Sequence, residues 1–254
     1  MKKTYTAPGG TLYNLFCDAL EQPHLLIAGA TGSGKSVVIN GLIHTLLHKL
    51  PGGSDGAQMI LIDPKRVELA QWKTMPHTIR YASEPDTMLS ALFCAMEICE
   101  KRYRAMQGRR QRKYIGPDLY VIIDEFADLM TTQRRTVAPL IQRLAQIGRA
   151  ARVHLIIATQ TPIAKVLPTE IKCNFDARFG LRTRSAQDSR NILDHTGLET
   201  LPRYGQAIYM TPAGECLYNV PYIDDRQLAV MEAWWNYQTR SAIYKATHRK
   251  PEHP

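Results

Sequence analysis

The chain has 254 residues, 44% of them apolar and 22% charged, which excludes a disordered or collagen-like polymer and leaves ample material for a core. At about 150 residues per domain, this length allows one large α/β domain or two small ones. Lys and Arg number 32 against 23 for Asp and Glu, a formal charge of +9, so nucleic acid is a candidate partner beside the plainer reading of a basic surface.

Taken in chain order, residues 1–22 form an N-terminal segment whose first ten residues, MKKTYTAPGG, carry no apolar stretch of the kind a secretory signal needs. An apolar run, His24–Gly29, ends in glycines and passes into a helical pattern over Lys35–Leu50, followed by the loop PGGSDG at 51–56. A second run, Met59–Asp63, precedes a helix over Pro85–Met106 and a loop over Gly108–Pro117. A third, Leu119–Asp124, precedes a helix over Gln133–Arg149, and a fourth, Val153–Thr159, has the same unbroken Leu, Ile and Val character. Strands of that kind are covered on both faces, as in a parallel sheet. QAIYM (206–210) and ECLYN (215–219), separated by TPAG, predict a hairpin extending one sheet edge, and a helix over Arg226–Tyr244 leads to the tail. The pattern therefore predicts an α/β fold: a mostly parallel central sheet with helices on both faces and a C-terminal β-hairpin. The boundaries are 1–22, 23–224 and 225–254.

The longest segments free of Asp, Glu, Lys and Arg are 22–34 and 36–48, too short for a membrane helix of about 18 residues or more. Five cysteines, Cys17, Cys94, Cys99, Cys173 and Cys216, form no CxxC pair. An odd set of this kind suits reduced thiols and a cytoplasmic setting.

The most specific motif is Gly29-Ala30-Thr31-Gly32-Ser33-Gly34-Lys35-Ser36, a complete GxxxxGK[ST] set between a strand and a helix. Gly32 and Gly34 allow a tight turn whose N–H groups face inward, and the helix N-terminus adds its dipole, so phosphates are the natural ligand. Lys35 would reach the β and γ phosphates of ATP, and the Ser36 hydroxyl would take a place around Mg²⁺. Asp124-Glu125 ends the run LYVII at the carboxyl edge of the sheet. Asp124 reads as the partner of Mg²⁺ and Glu125 as the base that takes a proton from the attacking water; the plainer reading is an acid pair at a helix start. Gln160, at the tip of the fourth strand, is a candidate sensor of the γ-phosphate or else an amide capping the turn before Pro162.

Residues 101–113, KRYRAMQGRRQRK, hold seven Lys or Arg, a solvated helix end and loop in preference to a nucleic-acid contact. His44 and His48 share a helix face, but nothing in the pattern completes a metal set. Trp234-Trp235 reads as helix packing.

With PHLLIAGATGSGKS, LIDPKRVEL (61–69), VIIDEFADLM (121–130), RLAQIGRAARVHLIIATQ (143–160) and DSRNILD (188–194), the chain resembles the FtsK/SpoIIIE motor domain of the HerA/FtsK superfamily over residues 23–220. The resemblance implies a RecA-like P-loop NTPase of the ASCE type, assembled as a homo-oligomeric ring, hexameric in the family, with ATP bound between neighbours and double-stranded DNA in the pore. It implies a Mg²⁺-dependent ATPase coupled to DNA translocation. Arg149, in GRAA, matches the family's arginine finger, although Arg149 could merely cap its helix and Arg152 compete for the role. Lys172 matches a pore-loop lysine. Thr161 and Ala186 stand where the family has cations, and Lys165, Arg182 or Arg184 would have to substitute at the DNA backbone.

The resemblance also implies a membrane region, a linker, an adjoining domain and a winged helix, none of which is legible here. The expectation is a minimal motor or a fragment of something longer. An FtsK-like ATPase acting on a protein is the alternative function, and a nucleotide-gated scaffold is a third.

Overall fold

The computed structural model describes residues 12–49 and 56–220, together with Arg226 and Ala229. The helix expected over Arg226–Tyr244, with Trp234 and Trp235, otherwise lies outside the described residues. Eight strands form one sheet in the order β3-β2-β4-β5-β1-β6-β7-β8. They are β1 (His24–Ala28), β2 (Gln58–Ile62), β3 (Thr78–Ala82), β4 (Leu119–Ile123), β5 (Val153–Thr159), β6 (Ala177–Leu181), β7 (Gln206–Thr211) and β8 (Gly214–Asn219). The first six pair in parallel, and β7 and β8 add the antiparallel edge.

Side chains alternate across each strand, so the sheet divides the interior into two cores. Leu25 and Ile27 of β1 face one core, with Ile39, Leu42, Ile43 and Leu46 of α2 (Lys35–Lys49) and Leu15, Phe16 and Ala19 of α1 (Leu12–Glu21). Leu26 and Ala28 face the other, built by α3 (Pro85–Gly108), α4 (Phe126–Thr132), α5 (Arg134–Ala151), α6 (Thr169–Lys172) and α7 (Ala186–Leu193). β1 is wholly buried, which is why its five residues need no polar alternation.

Six of the described strands and α-helices depart from the sequence pattern, α1 and α6 among them as helices it does not predict. β3 is an edge strand with Ile79 and Arg80 exposed, so it lacks an apolar run. β6 carries Arg178 into the interior, where its guanidinium donates to the carbonyls of Phe175 (2.7 Å) and Ile192 (2.8 Å) and to Asp194 (2.7 Å). A charge in mid-strand masks the strand. α4 precedes the predicted helix and is separated from α5 by Gln133, at φ −137° and ψ 30°. α7 begins at Ser185, whose hydroxyl accepts the Asp188 N–H.

Two contacts press α5 onto the amino end of β5. A Cβ at Gly148 would stand 2.5 Å from the Val153 carbonyl oxygen, so a side chain has no room. Arg152 ends the helix in the left-handed region, at φ 55°, and its guanidinium grips Asp118 at 2.7 and 2.5 Å. His154 adds a third bond to Asp118 at 3.0 Å. Arg102, the buried member of the basic 101–113 stretch, donates to the carbonyls of Ala151 and Arg152 at 2.9 Å each.

Burial alone would push the Asp118 carboxyl up, but hydrogen bonds from His154 and Arg152 hold it well below the usual carboxylate range. A carboxyl depressed in the folded state stabilises above its unfolded value, about 3.9, and loses that contribution as pH falls through the folded one. Asp118→Asn is therefore expected to cost about 1.5–3 kcal/mol at pH 7 in urea denaturation. The gap from wild type should shrink steadily as pH drops below about 4; a gap that stays constant into strong acid would contradict the ion-pair account.

Candidate nucleotide-binding site

The carboxyl ends of β1, β2, β4 and β5 meet at one edge, set by register: Ala28 pairs with Thr159, Ile123 with Ile157 and Ile62 with Ile123. The next residue along each strand, Gly29, Asp63, Asp124 and Gln160, therefore emerges at a common rim. This is where an open α/β sheet binds ligands.

The glycine-rich loop runs from Gly29 into α2. Gly32 and Gly34 have φ of +73° and +102°, which a side chain would oppose. A Cβ at Gly29 would stand 2.7 Å from Ser33 Oγ and 2.8 Å from Leu181 Cβ, so the loop folds tightly against β6. The Ala30 N–H is tied to the Arg182 carbonyl at 2.8 Å. Lys35 is 6% exposed, and its Nζ donates to the carbonyls of Gly29 (3.1 Å) and Ala30 (3.5 Å). Burial lowers its pKa to about 8, against the opposing pull of Glu125 and Asp124. Ser36 sits half-buried in the first turn of α2. Ser33 Oγ is buried with no partner in the protein, an orphan that a phosphate oxygen would satisfy.

The acids behind the loop form a group. Asp124 is 5% exposed, and its pKa is pushed up to about 7 by burial, then by the carboxylates of Glu68, Asp63 and Glu125, with Lys35 opposing. Asp63 accepts the Leu69 N–H through Oδ2 at 3.0 Å, while its Oδ1 is buried without a partner. Among the described residues no group of three or more His, Cys, Asp or Glu could hold a metal by itself; the buried Asp124 carboxyl, the orphaned Asp63 oxygen and the Ser36 hydroxyl are hard oxygen donors that fit a Mg²⁺ sharing its shell with phosphate oxygens.

Glu125, 3% exposed, is the N-cap residue of α4, but its side chain makes no capping hydrogen bond. Its Oε2 accepts Lys65 Nζ at 3.0 Å, and its Oε1 accepts the Thr159 hydroxyl and the Gln160 N–H, each at 3.1 Å. The Gln160 side chain in turn accepts the Thr31 hydroxyl at 2.6 Å. A continuous chain of hydrogen bonds thus links the glycine-rich loop, the strand-tip amide and the buried glutamate. Lys65, Asp63 and Glu68 carry no role in the sequence reading. Their signal was the segment LIDPKRVEL, whose acids and lysine reach the site only through folding.

The remaining candidates fall elsewhere. Arg149 is exposed in the last turn of α5, at the edge where β4 and β5 begin, opposite the glycine-rich loop. It lines a cavity of about 550 Å³ with Lys113, Asp118 and Arg152. Arg152 is committed to Asp118. Lys165 is exposed before α6. Lys172 is half-buried, donating to the carboxylate of Asp194 at 2.7 Å and the carbonyl of Asn191 at 3.3 Å. Arg182 and Arg184 are exposed beside the glycine-rich loop, lining a cavity with Ala30, Thr31 and Ser33. His44 is half-buried on α2, and the side chain of His48 lies outside the described residues. No helix among the described residues is long and apolar enough to cross a membrane.

Comparison with known proteins agrees with this geometry. The FtsK/SpoIIIE family matches residues 10–117 and 106–164. "DNA translocase FtsK" of Treponema pallidum is 38% identical over 231 residues, 84% of this chain and 28% of that protein. The protein of the same name from Clostridium acetobutylicum is 41% identical over 213 residues, 78% of this chain and 28% of that one. The chain thus spans under a third of the length of these curated relatives. Among solved structures, the pCW3 conjugation coupling protein TcpA, determined with ATPγS, superposes with a TM-score of 0.73 at 25% identity, covering 87% of this chain and 66% of that one. The type VII secretion ATPase EccC of Thermomonospora curvata gives 0.72 at 21% identity, covering 84% and 28%, a likeness of fold. The fold is that of the P-loop ATPases, and the chain belongs to the FtsK/SpoIIIE family.

Proposed function

We propose that this chain is the motor module of a DNA translocase, hydrolysing ATP at the interfaces of a ring, hexameric as in the family resemblance, and moving DNA, double-stranded in the first instance, through its pore. The carrying observation is the separation of two half-sites. Lys35, Asp124, Glu125 and Gln160 converge at one sheet edge, whereas Arg149 stands at the opposite edge and is left uncommitted by the pairing of Arg152 with Asp118. That position is remote from the glycine-rich loop of the same chain, which supports service at the site of a neighbouring copy.

In this reading the backbone of residues 29–36 cradles the phosphates, and Lys35 exchanges its carbonyl partners for phosphate oxygens. Mg²⁺, held by Ser36 and Asp124, would neutralise phosphate charge. Glu125 orients the attacking water and accepts its proton as the water oxygen bonds to the γ-phosphorus and ADP leaves. Gln160 reports the γ-phosphate through Thr31, since the bond from the Thr31 hydroxyl connects the loop to the backbone that holds Glu125. Arg149 of the adjoining copy neutralises charge on the transferring phosphoryl group. Lys165, Arg182 and Arg184 supply charge for a polyanion, and the setting is cytoplasmic.

The engagement of Lys172 with Asp194 favours a second reading, in which the motor acts on a protein, because one expected backbone contact is already occupied.

Three outcomes test this. Glu125→Gln should lower turnover by about 100-fold or more while retaining ATP, and Lys35→Ala should weaken ATP binding itself; a fully active Glu125→Gln enzyme removes the base assignment. Arg149→Ala should cut turnover on the order of 10³-fold. Mixing it with Glu125→Gln protein should restore activity, since one variant keeps an intact loop half and the other an intact finger; no recovery in assembled mixtures excludes action in trans. Duplex DNA should raise ATPase activity, with stimulation falling steeply between about 50 and 200 mM salt. Indifference to DNA together with stimulation by a polypeptide would favour the second reading.

A further inference from the structure

The glycine-rich loop accounts for the phosphates of a nucleotide and leaves its base without a seat. Immediately beside it, the turn between Leu198–Thr200 and β7 presents Arg203 and Tyr204. A Cβ built on Gly32 would lie 3.9 Å from Arg203 Nη2 and 4.0 Å from Tyr204 Cε1, so both side chains stand within contact of the loop that turns around the phosphates. Tyr204 is 61% exposed, so a face of its ring is open to a ligand. The Arg203 guanidinium lies over that ring, 5.1 Å from its centre. Between this turn and the glycine-rich loop lies a cavity of about 530 Å³ whose wall includes Ala30, Thr31, Ser33, Arg182, Arg184 and Arg203. The turn is anchored at its far end, where Gly205 accepts the Val220 N–H at 2.9 Å and closes the base of the hairpin.

We infer that Tyr204 is the stacking platform for the purine ring of the bound nucleotide, with Arg203 bridging ring and phosphates. This rests on the ATP reading above. An aromatic face and a guanidinium plane attract the face of a base irrespective of its edge. The placement suits a nucleotide: Arg182, Arg184 and Arg203, with Glu199, line the cavity beside the loop, and the exposed Tyr204 ring stands next to Arg203 at Gly32. A free polyphosphate would use only the arginines.

The test compares ADP with inorganic tripolyphosphate by titration calorimetry on wild type, Tyr204→Ala and Tyr204→Trp. Tyr204→Ala should weaken ADP by about tenfold or more and leave tripolyphosphate unchanged, which also shows that the exposed substitution leaves the loop folded. Tyr204→Trp should retain ADP affinity. Equal ADP affinity in Tyr204→Ala and wild type overturns the inference, as does parallel loss of both ligands. A wild-type protein that binds neither ligand defeats the ATP reading, whereas one that binds ADP regardless of residue 204 defeats only the stacking platform.

Discussion

A carboxylate buried as deeply as Glu125 must find donors within the protein, because water no longer supplies them. It finds three, and they come from two separate loops: Lys65 after β2, and Thr159 and Gln160 at the end of β5. Through Thr31 the glycine-rich loop after β1 joins the same assembly. Glu125 therefore fastens three strand ends to one another and the Gln160 side chain adds the fourth, an arrangement that the parallel register of the sheet brings together. Lys65 holds its proton because Glu125 and the neighbouring acids outweigh its partial burial. The buried carboxylate is thus kept in place by a cation on the protein surface.

The elements that could be read from the sequence are those whose cause is local. Glycines at 32 and 34 fix a turn wherever they occur, and unbroken runs of Leu, Ile and Val reveal strands covered on both faces. β3 and β6 were missed because the fold overrides their composition: one lies at an edge, half in solvent, and the other carries Arg178, neutralised by Asp194 and two carbonyls. The same limit governs the site. Gly29 to Ser36, Asp124, Glu125 and Gln160 lie next to strand ends and were legible. Lys65 meets Glu125 across 60 positions, a distance at which residue pattern says nothing. Residue pattern alone leaves Arg149 and Arg152 equivalent, and only the fold joins Arg152 to Asp118, 34 positions away.

Both edges of the sheet carry charge of both signs. At the glycine-rich loop, carboxylates lift Asp124 to about 7 beside Lys35 and Lys65, and at the other edge Lys113, Arg149 and Arg152 share a cavity with Glu21 and Asp118. Contacts that join unlike surfaces of identical copies repeat head to tail, and such an arrangement closes when the rotation between copies allows it. In the proposed ring, forming such a contact would complete the catalytic site.

Gly148 gives this arrangement a narrow tolerance. The atom it lacks would strike the Val153 carbonyl at 2.5 Å, so even a methyl group would prise the helix end off the strand and shift the neighbouring guanidinium with it. In the proposed ring, the reach of one subunit into the next would thus be calibrated by an empty space one carbon wide, at the opposite end of the sheet from the glycine-rich loop.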